Sequence, residues 1–362
     1  MLKLSDLRSR ARRSTSLGLI GAVGLAGLLL NACSSNTTHK AQALPAPAAK
    51  TTSTSTTAPA ATCPLTGEPA PGGQVPQRPA LAVKIDNYPA ARPHQAGLDK
   101  ADLVFEEPVE GGITRYAAVF QCQNAALVGP VRSARNIDVG ILGQLGSPLE
   151  VHVGGINPVL ANIKASPIVN VDLGNLASVM IHPSGLVPPD DDFTSTSAVY
   201  ALHAAMTTPP APLFTYSKTT PAGGTPVSTV HIDFSGTSNV TWKYDTATGL
   251  FQRFYDSTVP DTLNDGAQDE AANVVVQYVQ VSYGPWLEND EGGLEVQADL
   301  YPNASGAAVI YRNGVATPAT WHRSALAAPT QYLDSTGNPI PLQPGQTWVE
   351  YVPNTIHAVT TP

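Results

Sequence analysis

The chain changes character at Cys63, and that break limits what can fold. Residues 34–62 are mostly Ser, Thr, Ala and Pro, with Lys40 and Lys50 as the charged residues. A segment so poor in apolar side chains cannot offset the entropy cost of ordering its backbone. It reads as a disordered tether over 33–62, and composition of this kind also permits O-glycosylation. Any hydrophobic core must therefore be written after residue 62.

Before the tether, Arg8, Arg10, Arg12 and Arg13 precede an apolar run from 17 to 32 that stops at Cys33. The run falls short of the ~20 residues a bilayer-spanning helix needs, and Gly18, Gly21, Gly24 and Gly27 weaken it as a helix. Charged start, apolar middle and small residues at the end make an export signal over 1–32. The ending Leu30-Asn31-Ala32-Cys33 resembles the lipobox of bacterial lipoproteins. That likeness implies lipidation at Cys33 (palmitate among the acyl groups) and a position on the outer face of a cell membrane. Removing residues 1–32 takes five basic residues and Asp6, leaving 15 basic against 27 acidic residues and a formal net charge of −12. Such a balance argues against nucleic acid as a partner, because phosphate binding rests on Lys and Arg. It also leaves membrane attachment to the lipid anchor. Cys63 and Cys122 remain as a potential disulfide in an oxidising compartment, with two unpaired thiols as the alternative.

From Cys63 the pattern is that of a folded α+β chain. Residues 81–86 alternate as a half-buried strand does, and 103–106, 113–122, 149–153 and 168–171 read as further strands. Helices are expected over 136–145, in a turn at 158–163, and over 197–206 with Ser195 or Thr196 as N-cap. Residues 63–217 thus read as a mixed α/β N-terminal domain. A Pro/Gly/Thr linker at 218–228 separates it from a β-rich C-terminal domain over 229–362. There Asn313-Gly314 marks a hairpin, both turn positions needing positive φ, and 245–249 marks a second. Trp242, Trp286, Trp321 and Trp348 are expected to anchor this domain's core.

Chemistry concentrates around arginine. Between residues 64 and 215 the arginines are Arg78, Arg92, Arg115, Arg132 and Arg135. Four of them lie in turn-rich strings: Asp86-Asn-Tyr-Pro-Ala-Ala-Arg-Pro93, Glu106-Glu-Pro-Val-Glu-Gly-Gly-Ile-Thr-Arg115 and Gly129-Pro-Val-Arg-Ser-Ala-Arg135. The guanidinium fork matches oxyanions in bidentate fashion, and glycine turns present backbone N–H groups. An anionic envelope polymer or peptide ligand would thus be held by Arg92, Arg115, Arg132 and Arg135. Asp86, Glu106 and Glu110 would orient them, with Gly111, Gly112, Ser133 and His152 lining the site. Against this stand internal ion pairs that merely lock loops: Arg115 with Glu106 or Glu110, and Arg132 with Asp86. A cell-wall hydrolase using Glu106 or Glu110 is a second reading, although carboxylates beside arginines are poor general acids. A structural envelope scaffold is a third. Asp190-Asp191-Asp192 with His182 or His203 has cation-binding residue types but reads as a solvated acidic run. No HExxH, GxSxG or CxxC occurs, and no cofactor or metal is expected.

The strings ending in Arg115 and Arg135, with His152-Val-Gly-Gly155, Phe193-Thr-Ser-Thr196, Val240-Thr-Trp-Lys-Tyr-Asp245 and Pro344-Gly-Gln-Thr-Trp348, resemble the YerB-like lipoproteins. The likeness runs from Cys63 to Pro353 and departs at 94–97 and 188–192. It implies an exported two-domain protein, α+β first and β-rich second, and it implies no reaction.

Overall fold

A computed structural model of the chain describes residues 61–172, 177–288 and 293–362. The export signal, Cys33 and all but the end of the tether lie outside these residues. From residue 61 onward the described chain belongs to one compact unit, Ala58–Pro362.

Strands β1 (Leu81–Asp86), β2 (Leu103–Pro108) and β3 (Thr114–Phe120) form an antiparallel trio with β3 in the middle. Two short strands continue it in parallel beyond β1: β4 (Leu149–Val151) and β5 (Val169–Val171). Helix α1 (Ile137–Leu142) precedes β4, and α2 (Asn157–Ala165) makes the crossover from β4 to β5. A third helix, Thr196–Leu202, is capped as expected, Ser195 Oγ accepting from the Ala198 amide at 3.3 Å, but ends earlier than predicted. The mixed α/β expectation is therefore met only coarsely, since the chain is mostly strand with few, short helices.

The later strands are β6 (Thr225–Pro226), β7 (Thr229–Ser235), β8 (Ser238–Asp245), β9 (Leu250–Tyr255), β10 (Val259–Pro260), β11 (Glu270–Ala271) and β12 (Asn273–Val279). They continue with β13 (Val281–Leu287), β14 (Leu294–Ala298), β15 (Ala304–Arg312), β16 (Val315–Arg323), β17 (Gln331–Leu333), β18 (Thr347–Pro353) and β19 (Val359–Thr361). One eleven-stranded sheet runs β17-β16-β15-β12-β18-β2-β3-β1-β4-β5, with β6 on β16. Strand β18 lies parallel to both β12 and β2, so a late strand stitches the two sequence halves into one sheet. A six-stranded sheet, β10-β9-β8-β7-β19 with β11 on β9, packs beside it, and β13–β14 forms a separate ribbon.

Residues 81–86 form the expected strand but not a half-buried one, because both faces are covered and all six residues of β1 are buried. Leu81, Val83 and Ile85 belong to the core that includes Trp242 and Trp348, while Ala82 joins the core that includes Ile137, Ile141 and Val159 of the helices. Side chains alternate along a strand, so adjacent residues face different layers. Glu106 therefore faces the second sheet and Glu107 the helices, a one-residue step that separates two neighbouring carboxylates. Tyr116, Trp348 and Trp242 meet edge to face at 5.2 Å centroid spacing between the sheets. Trp321 is buried too, whereas Trp286 on the ribbon is only half-buried. The Asn313-Gly314 hairpin joins β15 to β16 with φ of 53° and 70°. Cys63 and Cys122 are bonded, their Cα atoms 6.0 Å apart, tying the start of the described chain to the end of β3.

Candidate functional site

Strand register brings the first pair of site residues together, because Asp86 at the end of β1 lies opposite Arg115 near the start of β3. The segment carrying Arg132 then runs along β1: Asp86 N donates to Pro130 O at 3.0 Å and Arg132 N to Lys84 O at 2.9 Å. This places Arg132 Nε 2.7 Å from Asp86 Oδ2. The Arg132–Asp86 pair expected from sequence is formed.

Arg115 does not pair as expected. Its Nε stands 3.9 Å from Asp86 Oδ1 and makes no hydrogen bond, while Nη1 donates to Ser133 O at 3.3 Å. The residue is 6 % exposed. Glu110 instead takes Arg135, whose Nε donates to Oε2 at 2.8 Å while Nη2 meets Oε1, and Arg135 Nη1 also lies 3.4 Å from Glu288. Burial drives the Arg115 pKa down to about 10; Arg135 and Arg132 add repulsion that Asp86 and Glu110 only partly offset. For Glu110, burial pushes upward, but the hydrogen bond and charge of Arg135 win and lower its pKa, the wrong direction for a general acid.

Three expected site residues lie elsewhere. Arg92 stacks on Tyr255, 4.1 Å from the ring centroid, and donates to Thr237 O at 2.9 Å, because its turn packs against the second sheet. Glu106 faces that sheet too, where Arg253 Nη2 (2.7 Å) and Thr114 Oγ (2.6 Å) donate to it; at 1 % exposure it has no route to a substrate. His152 is enclosed, Nδ1 lying 2.8 Å from Gly154 O and Nε2 meeting Asn170 Oδ1. Ser133 contributes its carbonyl to Arg115. Gly111 and Gly112 have φ of 74° and 71° and form an exposed turn, with Gly112 O accepting from Ser235 Oγ.

That turn borders a groove of about 620 Å³, lined by Glu110, Gly111, Phe234, Tyr283, Leu294 and Ile356 among others. Its outer wall is the β13–β14 ribbon, which exposes Tyr283 (71 %), Leu287 (58 %) and Leu294 (41 %). Glu295 fastens the ribbon by accepting from Asn136 N at 2.7 Å. Burial, then the hydrogen bond with Glu288, raises its pKa to about 9.

Sequence reasoning missed two interior charge clusters. On the helical face, Lys84 bonds Glu107 and, at 2.6 Å, Asp138, with Glu150 alongside and all four fully buried. Between the sheets, Arg253 bonds Glu106 and Asp261 among the rings of Tyr116, Trp242, Tyr255 and Trp348. The available signal was a charged residue flanked by apolar neighbours within a strand, Lys84 in β1 and Glu150 in β4. Near Arg132, His182 Nδ1 lies 3.5 Å from Asp192 and 3.8 Å from Asp191, without His203, on an exposed loop.

Comparison with known proteins places these residues in a family context. Residues 65–208 match the N-terminal domain, and residues 230–349 the C-terminal domain, of a family described as a protein of unknown function, DUF3048. A Bacillus subtilis (strain 168) protein named "Putative lipoprotein YerB" is 29% identical over 297 residues, 78% of this chain and 83% of that one. The crystal structure of the YerB protein from Bacillus subtilis aligns with a TM-score of 0.70 at 23% identity, covering 83% of this chain and 99% of that chain. The same sheet architecture and both sequence domains are thus shared, and the chain belongs to the YerB-like two-domain family.

Proposed function

We propose that this is a lipid-anchored extracytoplasmic binding protein whose Asp86–Arg115–Arg132 cluster takes an oxyanion of the cell envelope. The anchor rests on the sequence ending at Cys33 and on the lipoprotein name of the relative. The binding reading rests on one observation: Arg115 is a buried cation whose nearest carboxylate, Asp86, stands 3.9 Å away without a hydrogen bond. Lys84, Arg135 and Arg253 each touch a carboxylate, Arg323 donates to three carbonyls, and Arg312, also without a carboxylate, makes shorter bonds to Ser217 O at 3.1 Å and Asn313 Oδ1 at 2.8 Å. Arg115 makes one long bond and shares Asp86 with Arg132. Leaving an ion buried and under-compensated costs several kcal/mol, so such a group points to a partner that arrives later.

The test is cosedimentation of the soluble chain with purified envelope fragments. Binding that weakens at least tenfold in Arg115→Lys and Arg132→Ala, both folded, supports the reading. Unchanged binding in both variants removes it. A structural scaffold is the second reading, favoured by the exposed Tyr283, Leu287 and Leu294 beside the groove. It predicts instead that Tyr283→Ser lowers envelope association while the arginine variants do not.

A further inference from the structure

The loop that follows Val187 lies against Arg132 and brings its own carboxylates. Arg132 Nη1 donates to Pro189 O at 3.4 Å, and Val131 N donates to Asp192 O at 2.7 Å, so the loop brackets the arginine from both sides. Asp190 stands between these contacts. Its amide donates to Val187 O at 3.0 Å, its side chain makes no hydrogen bond among the described residues, and it feels the charges of Arg132, Asp86, His94 and Asp191. Burial is the largest influence on it and raises its pKa, so its partial enclosure is not repaid by a formed ion pair. Asp191 and Asp192 differ, because both turn toward His182. The arginine site thus holds two guanidinium groups, one carboxylate in contact, and a second carboxylate near but unbonded.

We propose that Asp190 is an internal competitor, whose unbonded charge beside Arg132 opposes an incoming oxyanion. The inference rests on the oxyanion-binding reading above and adds its regulation. A carboxylate close to a binding arginine opposes an anion by simple charge, while one already hydrogen-bonded to it, as Asp86 is, orients it instead. Asp190 and Asp86 therefore have opposite effects although both are aspartates beside the same arginine. The rim of the site is half exposed, so the effective dielectric there is near that of water. Asp190 lies beyond ion-pair contact with Arg132, and at a separation of about 6 Å one unit charge changes anion affinity about threefold at low salt, and less as salt screens it.

The experiment titrates the soluble chain separately with inorganic phosphate and with acetate, at fixed low ionic strength, following the arginine Nε–H resonances by NMR. Asp190→Asn is expected to tighten binding of at least one probe about threefold at low salt, and Arg132→Ala to weaken it. Phosphate preference would mark a phosphate-bearing polymer, and acetate preference a peptide carboxylate. Asp191→Asn serves as the comparison and is expected to change affinity by less than half as much. If Asp190→Asn leaves affinity unchanged or weakens it, the competitor role is wrong, yet the site stands provided Arg132→Ala loses binding. An equal gain in Asp191→Asn also overturns the proposal, because it reports only net charge. Absence of binding in wild type and Asp190→Asn alike overturns both readings.

Discussion

Replacing Lys84 with Met should destabilise the fold in a way that depends steeply on pH. Lys84 is fully buried among Glu107, Asp138 and Glu150. Burial raises the pKa of Glu150 well above normal and that of Glu107 to about 8, with Asp138 adding repulsion at both. For Lys84 burial acts downward, but Asp138 and Glu107 outweigh it and keep the ammonium charged. A dry cluster tends to electroneutrality, so one carboxylate charge balances Lys84 while protons hold the others neutral. Without Lys84 that last charge must take a proton. Protonating an ordinary carboxyl of pKa near 4 costs about 1.4 kcal/mol per pH unit, or about 4 kcal/mol at neutral pH. The penalty should shrink as pH falls and leave about 1 kcal/mol of packing loss near pH 4, since Lys and Met fill similar volume. Urea unfolding of wild type and Lys84→Met at several pH values between about 4.5 and 7 measures this. A difference in stability that stays constant across that range would refute the electroneutral-cluster argument.

Three further outcomes are expected. The Glu295 pKa is raised in the fold to about 9, so the stability it contributes is fully present below about pH 4.5 and is lost as pH rises toward 9; Glu295→Gln should flatten the unfolding free energy over that window, and an unchanged slope would contradict it. Gly314→Ala should cost about 2–3 kcal/mol in chemical denaturation, because its φ is 70° and an added Cβ would sit 2.6 Å from the Tyr244 ring; a loss under about 0.5 kcal/mol would deny the tight turn. Cys33→Ala should abolish incorporation of labelled palmitate and shift the protein from the membrane fraction to the medium, whereas retention in the membrane would argue for a spanning helix.

The sequence revealed elements better than their arrangement. The period-two pattern of residues 81–86 and the Asn313-Gly314 turn are local features, so strand β1 and the β15–β16 hairpin could be read directly. The insertion of β18 between β12 and β2 is a pairing across more than 240 residues for β2, and no local pattern encodes it. Composition marked a linker at 218–228, yet part of that stretch, β6, pairs with β16. At the site, Arg132–Asp86 was legible because both residues sit in short turn strings. Arg115 was assigned to Glu106 or Glu110 by closeness in sequence, but strand alternation turned Glu106 to the opposite layer, and Arg135 claimed Glu110. Arg253 was invisible as a partner of Glu106, being 147 residues away.

If Arg115 is held ready for an anion at some cost to the fold, as proposed, replacing it with Met should expose that cost. Asp86 keeps Arg132 in the variant, so no carboxylate is orphaned. Equilibrium unfolding should show Arg115→Met as stable as wild type or more stable, by up to about 2 kcal/mol, because a poorly compensated buried charge has been exchanged for an apolar chain of similar length. The same variant should lose envelope binding. A loss of stability of about 3 kcal/mol or more, as expected when a structural ion pair is broken, would contradict the account.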